Sequence, residues 1–402
     1  MKRISTSQAS LAIALLFAIC SCGSSGSDDS PTAISGQTPD SGSDPTPANP
    51  DTGPPAIQYI GRFDTRVPDA PICGWPGCRI IANFEGSEVS VSLTEMVEDW
   101  MVGAPSEWDY AIDGVWQPKL VMRIGQQTIS LAKDLGDGPH SVELYKRTEA
   151  QEGYTQFGGF DFGADGKLLS PPPRRTRAIE MIGDSMLTGF GDEGVGPDCP
   201  VSNQAAAWEN FHISFGALLG DTFNADVYGT GYSGKGITQN IWRPDPWTMP
   251  LIYPLSNPID EDAIFDFKDY SPDVLIIGIG GLDFAEGQPV DNGPATQTDF
   301  VAGYVAFLQM LRAHYPTAQF ISIVGPGPDD GEPNPVRDSA LLGISTAVDQ
   351  QKASGDTRIQ LFLPAETTPE ETTGCEGHGN AQLHQRMARE LAPVVQAATG
   401  WQ

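Results

Sequence analysis

Two residues that lie far apart in the chain, Ser185 and His378, have the chemical types that nucleophilic catalysis requires. Ser185 lies in the segment AIEMIGDSMLTGFGDEG, where an apolar run stops at Gly183, and His378 lies in the glycine-rich segment GCEGHGN. A serine hydroxyl becomes a strong nucleophile when a neighbouring base takes its proton, and neutral imidazole has a suitable pKa for this. The pair predicts acyl transfer through a serine-bound intermediate. The alternative for Ser185 is a simple helix cap.

The four remaining histidines and the known catalytic motifs offer no competing site. His140 falls in a turn of the N-terminal half. Packing is the simpler role for the three histidines in helical stretches, His212, His314 and His384. The sequence has no G-x-S-x-G elbow, no H-E-x-x-H pair, no Walker loop and no G-x-G-x-x-G after a strand. We therefore expect no metal and no cofactor, and any serine chemistry must use another scaffold.

From residue 177 onward the hydrophobic pattern alternates between short buried strands and amphipathic helices. The strand candidates are AIEMI, ADVYG, VLIIGIG and FISIVG. The helix candidates are a stretch with Phe300, Tyr304, Phe307, Leu308 and Leu311 on one face, a helix that begins at Pro335, and a last helix over residues 380–398. Strands that alternate with helices predict a parallel, doubly wound α/β domain over residues 177–402. Sites in such sheets form at the carboxyl ends of strands, which is where Ser185 lies.

Residues 57–172 have the period of β-strands. EVSVSLTE and HSVELYKR alternate apolar and polar residues, and Asp-Gly pairs indicate turns between such runs. Short strands with regular turns predict an antiparallel β-sandwich. Three consecutive prolines in SPPPRR, residues 170–175, suit neither a helix nor a central strand and separate the two domains.

The N-terminus has the pattern of an export signal. Two basic residues precede an apolar run that ends at Ile19 and is short for a membrane span. Cys22 follows a small residue, so residues 1–22 predict a lipoprotein signal peptide with Cys22 as the lipidated residue; an ordinary signal peptide is the alternative. Residues 23–56, rich in Ser, Gly, Pro, Asp and Thr, predict a flexible linker. We expect an exported protein that a lipid anchors to a bacterial membrane, facing the periplasm or the cell exterior, with no other membrane contact.

The chain is strongly acidic, with 23 Lys and Arg against 52 Asp and Glu and a formal net charge of −29. Nucleic acids and anionic membrane surfaces are bound through concentrated positive charge, so neither is expected as a partner. A neutral substrate fits this charge better.

Four cysteines lie in the predicted domains: Cys73, Cys78, Cys199 and Cys375. Export makes disulfides the default, and the short separation of Cys73 and Cys78 favours a local bond between them. This leaves Cys199 to pair with Cys375. A zinc site is the alternative, but the spacing is not C-x-x-C and no histidine lies near the first pair.

Four segments of the C-terminal half resemble sequence blocks of the SGNH (GDSL) hydrolases. IGDSMLTGFGDEG resembles the first block, with Ser185 as nucleophile, and GYSGKG resembles the second, whose glycine, here Gly234, donates a backbone N–H to the oxyanion. DVLIIGIGGLDF resembles the third block, and GCEGHGN resembles the fifth, with His378 as base. The order and spacing of all four agree. The resemblance implies a flavodoxin-like sheet, an oxyanion site that uses the N–H groups of Ser185 and Gly234, and no cofactor.

The likeness extends over residues 57–400 to carbohydrate esterase family 2, whose members place a small β-sandwich of jelly-roll type before the SGNH domain. YIGRFD, VELYKRTEA, TMPLIYPL and SPDVLIIGIGGLDFAEGQP are similar to segments of that family. The resemblance implies a serine esterase, similar to acetylxylan esterases, that removes O-acetyl groups from polysaccharides or oligosaccharides such as xylan and glucomannan.

The sequence departs from the family pattern at two places. Leu282 stands where the third block has an Asn that donates the third oxyanion hydrogen bond, and a Leu side chain cannot donate one. In the fifth block an Asp usually precedes the base by three residues, but Cys375 stands there. Glu376 is then the nearest carboxylate that could orient His378, and a solvated loop acid is the alternative. Some family members work with a Ser-His dyad, so the absence of this Asp is compatible with catalysis.

Three aromatic residues in the proline-rich insertion NIWRPDPWTMPLIY could stack on sugar rings: Trp242, Trp247 and Tyr253. Packing of a long loop is the alternative. The main functional hypothesis is an exported carbohydrate O-acetyl esterase that uses the Ser-His pair. Leu282 favours a rival, a non-catalytic or weakly active carbohydrate-binding protein on an esterase scaffold. A further alternative keeps the esterase and replaces the sugar by small acyl esters or lipids.

Overall fold

The computed structural model covers the two predicted domains. It describes residues 54, 56–101, 105–196, 198–199, 205–287, 293–326 and 335–402. The predicted signal peptide, its lipidation site Cys22 and the linker up to residue 53 lie outside the described residues, so those predictions stay predictions. No helix in the described ranges is both long and apolar enough to cross a membrane.

The N-terminal domain is built from two antiparallel sheets, as predicted. Its strands are β1 (Gln58–Ile60), β2 (Ile72–Cys73), β3 (Arg79–Glu85), β4 (Val89–Met96), β5 (Glu107–Ile112), β6 (Val115–Trp116), β7 (Leu120–Val121), β8 (Gly125–Ala132), β9 (Pro139–Lys146), β10 (Tyr154–Asp161) and β11 (Lys167–Leu168). One sheet has the order β1-β3-β9-β5-β6, with β11 beside β3 and β7 beside β5. The other has the order β2-β10-β4-β8.

Side-chain alternation along β4 shows how the sequence builds this sandwich. Val89, Val91 and Leu93 are buried, and the Ser and Thr residues between them are only half-buried. The inward residues pack in one core with residues of both sheets, among them Trp108. Period-two alternation therefore buries one face of the sheet against its partner. The predicted disulfide Cys73–Cys78 is formed within this domain.

The C-terminal domain has a five-stranded parallel sheet. Its strands are β12 (Arg177–Gly183), β13 (Ala225–Gly231), β14 (Val274–Gly278), β15 (Gln319–Ile323) and β16 (Ile359–Phe362). The spatial order is β13-β12-β14-β15-β16, which is the flavodoxin-like order of a doubly wound sheet. The predicted fold class is confirmed. Only β16 was missed, because IQLF is a short edge strand that is mostly half-buried and lacks a clear apolar run.

Helices cover both faces of this sheet, because successive strand residues point to opposite sides. The helices are α1 (Ser185–Thr188), α2 (Phe215–Phe223), α3 (Met249–Ile252), α4 (Gln297–His314), α5 (Pro335–Ala353) and α6 (Ala381–Thr399). Along β12, Ile182 joins the core formed with α4 and α5, whereas Ile179 and Met181 join the core formed with α2 and α6. The predicted apolar face of α4 is buried in the first of these cores.

The sandwich and the parallel sheet share part of a core. Ile60, Trp75 and Ile81 of the sandwich belong to the same buried cluster as Ile182 of β12. The indole N–H of Trp75 donates to the carbonyl of Leu255 at 3.0 Å. The two domains therefore form one folded unit, and sandwich residues reach the region behind the catalytic edge.

Candidate active site

Three parallel strands end in register at glycines, which brings three loops to one edge of the sheet. Gly183 of β12 pairs with Gly231 of β13 on one side and with Gly278 of β14 on the other. A Cβ on Gly183 would lie 2.6 Å from the carbonyl oxygen of Gly278, so glycine is needed for this close approach. The strand order reverses at β12, and the crevice at such a point is where doubly wound sheets bind ligands. The loops that follow contain Ser185 and Gly234.

Ser185 is the first residue of α1, immediately after β12. Asp184 caps this helix, because its Oδ1 accepts a hydrogen bond from the N–H of Met186 at 3.2 Å. The alternative that Ser185 itself is the cap is therefore wrong. Burial raises the pKa of Asp184 to about 7. Its position in the turn makes Asp184 a capping residue rather than a catalytic acid.

His378 reaches Ser185 from a loop 193 positions away in the chain. Its Nε2 lies 2.9 Å from the Ser185 Oγ, and its Nδ1 lies 2.9 Å from the carbonyl oxygen of Cys375. A carbonyl only accepts, so Nδ1 carries the proton and Nε2 presents a lone pair to the hydroxyl. Burial lowers the pKa of His378, an effect that the Cys375 carbonyl opposes. The imidazole is therefore neutral at neutral pH and within reach of the proton that it must remove.

The group that orients His378 is a backbone carbonyl, which corrects the prediction for Glu376. Residues Cys375–Gly377 form a tight 3-10 turn in which Glu376 has a φ of 56°. The turn brings the Cys375 carbonyl onto the imidazole and leaves the Glu376 side chain exposed. In the described part of the chain no hydrogen bond joins Glu376 to His378. The backbone geometry of this turn sets the hydrogen-bond partner of His378 Nδ1. The nearness of a carboxylate in the sequence does not reveal that geometry.

The histidine loop is fastened to the loop that follows the nucleophile. The predicted disulfide between Cys199 and Cys375 is formed. The N–H of Cys375 donates to the carbonyl of Gly191 at 3.1 Å, and the rings of Phe190 and His378 lie 4.9 Å apart in edge contact. A covalent bond, a backbone hydrogen bond and an aromatic contact thus hold the base beside its nucleophile.

Two backbone N–H groups beside the nucleophile are available to bind an oxyanion. Within the residues that the structure describes, neither the N–H of Ser185 nor that of Gly234 has a hydrogen-bond acceptor. The N–H of Tyr232 donates to the carbonyl of Gly183 at 3.0 Å, which holds this loop against the nucleophile's strand. Gly234 has a φ of 80°, in the left-handed region that favours glycine. This arrangement fits the oxyanion role predicted for the two groups.

Leu282, in the loop after β14, adds no side-chain donor. Leu282 lies in a turn there, where the family pattern has an Asn. The next residue, Asp283, is buried and accepts from the N–H groups of Ile237 at 2.8 Å and Thr238 at 2.7 Å. Asp283 therefore supports the loop that carries Gly234, and the side chain of Leu282 contributes no hydrogen bond to an oxyanion.

The three aromatic residues proposed for sugar contact have different environments. Trp242 and Trp247 are 44% and 43% exposed on the loop after β13. Tyr253 is fully buried, its hydroxyl donates to Glu180 at 3.0 Å, and its ring faces the guanidinium of Arg62 at 4.2 Å. Tyr253 is a core residue, so the prediction that it binds substrate is wrong. Its position in an apolar segment, IYPL, was a signal for burial.

Glu149 of the sandwich also reaches the catalytic edge, although the sequence did not single it out. It follows β9 and is fully buried. Its Oε2 accepts a hydrogen bond from the N–H of Ser233, the residue before Gly234, at 2.6 Å. No periodicity in the segment VELYKRTEA indicates such a partner in the other domain, so only the structure could reveal it.

Three buried carboxylates, two from the sandwich and one from the α/β domain, could hold a metal ion by geometry alone. Oxygen atoms of Glu149, Glu152 and Glu209 lie within 4.8 Å of one another. Lys146 is buried in the same place, and its charge interacts with all three. Burial raises the pKa of Glu152 and Glu209 well above the ordinary range. Lys146 already places an ammonium group among these carboxylates, and we assign no metal role to this group.

Comparisons with known proteins place both halves of the chain in described families. The model of the carbohydrate esterase 2 N-terminal domain matches residues 59–172, and that of the GDSL-like lipase/acylhydrolase family matches residues 181–386. An acetylxylan esterase / glucomannan deacetylase from Cellvibrio japonicus is 30% identical over 81% of this chain and 85% of its own length. The cellulase/esterase CelE from Acetivibrio thermocellus is 32% identical over 88% of this chain, which spans 40% of CelE.

A solved structure has the same architecture. A family two carbohydrate esterase from Clostridium thermocellum in complex with cellohexaose aligns with a TM-score of 0.77 and 30% identity, over 86% of this chain and 100% of the other. The doubly wound sheet and the Ser-His pair at its carboxyl edge define a GDSL-type carboxylic ester hydrolase. With its N-terminal sandwich, the chain belongs to carbohydrate esterase family 2.

Proposed function

We propose that this esterase hydrolyses O-acetyl groups on plant-type polysaccharides or oligosaccharides, such as xylan and glucomannan, through an acetyl-enzyme on Ser185. The observation that carries the proposal is the 2.9 Å contact between His378 Nε2 and Ser185 Oγ, with Nδ1 held by a carbonyl. This is the tautomer and the distance that a general base requires.

The reaction follows from these contacts. Ser185 Oγ attacks the acetyl carbonyl carbon while His378 Nε2 takes the hydroxyl proton, and the N–H groups of Ser185 and Gly234 bind the oxyanion. When the tetrahedral intermediate collapses, the bond to the sugar oxygen breaks and that oxygen takes the proton from Nε2. Water then attacks the acetyl-enzyme with the same base, acetate leaves, and the serine regains its proton.

Four observations support a sugar ester as the substrate. Two relatives from Cellvibrio japonicus are acetylxylan esterase / glucomannan deacetylases. Ser185 and His378 are partly exposed, which suits a polymer that cannot enter a closed cavity. Trp242 and Trp247 are exposed on the loop next to Gly234, where aromatic faces can stack on sugar rings. The net charge of −29 also favours a neutral substrate over an anionic one.

The test is acetate release from acetylated xylan and acetylated glucomannan, with 4-nitrophenyl acetate as a small ester. We expect Ser185→Ala and His378→Ala to abolish release from all three. Trp247→Ala should lower kcat/KM on the polymers and leave 4-nitrophenyl acetate unaffected. Trp100→Ala is the matched control, because this tryptophan is 54% exposed on the sandwich and should change neither. Activity on the small ester alone would favour simple acyl esters instead.

Leu282 is the specific observation that favours a second candidate, a carbohydrate-binding protein with weak or no catalysis. Loss of one oxyanion donor typically lowers turnover about a hundred- to a thousandfold. Polysaccharide binding by a wild-type protein that releases no acetate would establish this alternative.

We also propose export and anchoring through a lipid on Cys22. The support is the sequence pattern of residues 1–22 and the linker of residues 23–56 that follows. Cys22→Ala should move the protein from the membrane fraction to the soluble fraction of bacterial cells. Cys20→Ala should not, and the reverse result would assign the lipid to Cys20.

A further inference from the structure

Glu149 connects the sandwich to the loop that carries the oxyanion donor Gly234. Its Oε2 accepts from the Ser233 N–H at 2.6 Å, and its Oε1 accepts from the Ser233 hydroxyl. Oε1 also lies 3.5 Å from the Thr188 hydroxyl at the end of α1. One carboxylate thus contacts the loop after β13 and the helix that begins at the nucleophile.

The backbone of Glu149 is itself held in place. Its N–H donates to the Oε1 of Glu209 at 3.1 Å, and its carbonyl accepts from the ammonium of Lys146 at 3.3 Å. All three of these residues are fully buried. A carboxylate on such a rigid support can fix the residue that it binds.

The peptide that carries the Gly234 N–H begins at Ser233, so fixing Ser233 fixes the direction of that N–H. Its direction matters more here than in an enzyme with a third donor, because Leu282 supplies none. A displacement of about 1 Å in a catalytic group can cost a hundredfold in rate.

We propose that Glu149 is a positioning residue for the reaction, a carboxylate of the sandwich that aims the Gly234 N–H at the developing oxyanion through Ser233. The sandwich therefore takes part in catalysis by supporting the active site from behind. This inference rests on the proposed esterase function.

The ionisation of Glu149 gives the role a pH signature. The titratable groups that interact with it are Lys146, Lys235, Glu152, Glu209 and Tyr232. Burial raises its pKa to about 7, against the hydrogen bonds from Ser233. Below that pH the carboxylate gains a proton and loses an acceptor site, so turnover should fall. The pKa of His378 is lowered from its ordinary value, so its own loss of activity occurs at lower pH.

The test compares kcat, KM and the pH profile of wild type and Glu149→Gln on 4-nitrophenyl acetate and acetylated xylan. We expect kcat to fall about ten- to a hundredfold with KM unchanged. The acid limb of the profile should also lose the component that the ionisation of Glu149 contributes, whereas the components from His378 and Asp184 remain. Ser233→Ala, which removes the hydroxyl and keeps the N–H, should cause a smaller loss in the same parameter.

Glu152→Gln is the matched control. Glu152 is buried in the same group, and neither of its carboxylate oxygens has a hydrogen-bond partner among the described residues. It should keep kcat at pH values above the acid limb. Equal losses of kcat in Glu149→Gln and Glu152→Gln, or a Glu149→Gln profile identical to that of wild type, would overturn the proposal.

A second measurement separates failure of this inference from failure of the proposed function. The rate at which a 4-nitrophenyl phosphonate labels Ser185, followed by protein mass, depends on the oxyanion site and needs no sugar substrate. If wild type is labelled but releases no acetate, the proposed esterase function is wrong. Slower labelling of Glu149→Gln than of wild type would still support the positioning role of Glu149. Equal labelling rates in the two proteins contradict positioning whatever the acetate assay shows.

Discussion

Arg62 of the sandwich and Glu180 of β12 form an ion pair that is fully buried, with Nη2 2.7 Å from Oε1. Glu180 lies five residues before the nucleophile, on the strand that carries it. Its carboxylate also accepts from the hydroxyls of Thr230 at 2.9 Å and Tyr253 at 3.0 Å. The sandwich therefore supplies the counter-charge for a buried acid on β12 of the catalytic sheet, and we expect the stability of each domain to depend on the other.

Removing this counter-charge should strongly destabilise the protein. Arg62→Met leaves Glu180 as an uncompensated buried charge, and we expect a loss of about 3–5 kcal/mol in the free energy of unfolding, measured in urea. Arg66→Ala is the control, because that arginine is 48% exposed and its pairs are worth at most about 1 kcal/mol. The double variant Arg62→Met/Glu180→Gln should recover a large part of the loss. A single variant as stable as wild type would contradict the interdependence of the domains.

The missing side-chain donor can be tested by restoring it. Leu282→Asn places an amide where the family pattern has one, and we expect kcat to rise about ten- to a hundredfold with little change in KM. Leu282→Ala adds no donor and should give no rise. If Asn has no effect, the backbone N–H groups already satisfy the oxyanion.

The Cys199–Cys375 disulfide should affect both stability and turnover. Its cysteines are 176 positions apart. Removing the bond therefore raises the conformational entropy of the unfolded chain and should lower the free energy of unfolding by about 5 kcal/mol. It also releases the loop that holds His378. Cys199→Ala/Cys375→Ala should lower the melting temperature and kcat together. Cys73→Ala/Cys78→Ala, whose cysteines are 5 positions apart, should leave kcat unchanged, and a loss there as large as in the first pair would count against the positioning role.

His384 should make stability decrease in acid. It is buried in α6, its Nδ1 accepts from the N–H of Phe215 at 3.2 Å, and burial lowers its pKa to about 4. The unfolded chain therefore binds a proton below pH 6.5 that the native protein binds only near pH 4. Between these values wild type should lose about 3 kcal/mol from this group. His384→Gln should lack that component, so urea unfolding at pH 7 and pH 4.5 should show a smaller pH effect than in wild type.

The large regular elements could be predicted because their signals are local. The apolar run of β12 and the apolar face of α4 are local patterns, and the sequence pattern placed both elements where the structure has them. Edge strand β16 was missed, and α2 was indicated only as a helical stretch near His212, because each element is short and its burial comes from contacts with distant segments.

The sequence by itself indicated Ser185 and His378 as the candidate nucleophile and base, the order of the blocks and the pairing of the cysteines, because each depends on residue type and spacing. Tertiary structure decided what depends on which atoms meet: the Cys375 carbonyl instead of Glu376 on the imidazole, and Tyr253 in the core instead of the cleft. It also placed Glu149 behind Gly234. A hydrogen bond between two domains depends on distances of a few ångströms between residues far apart in the chain, and folding alone sets those distances.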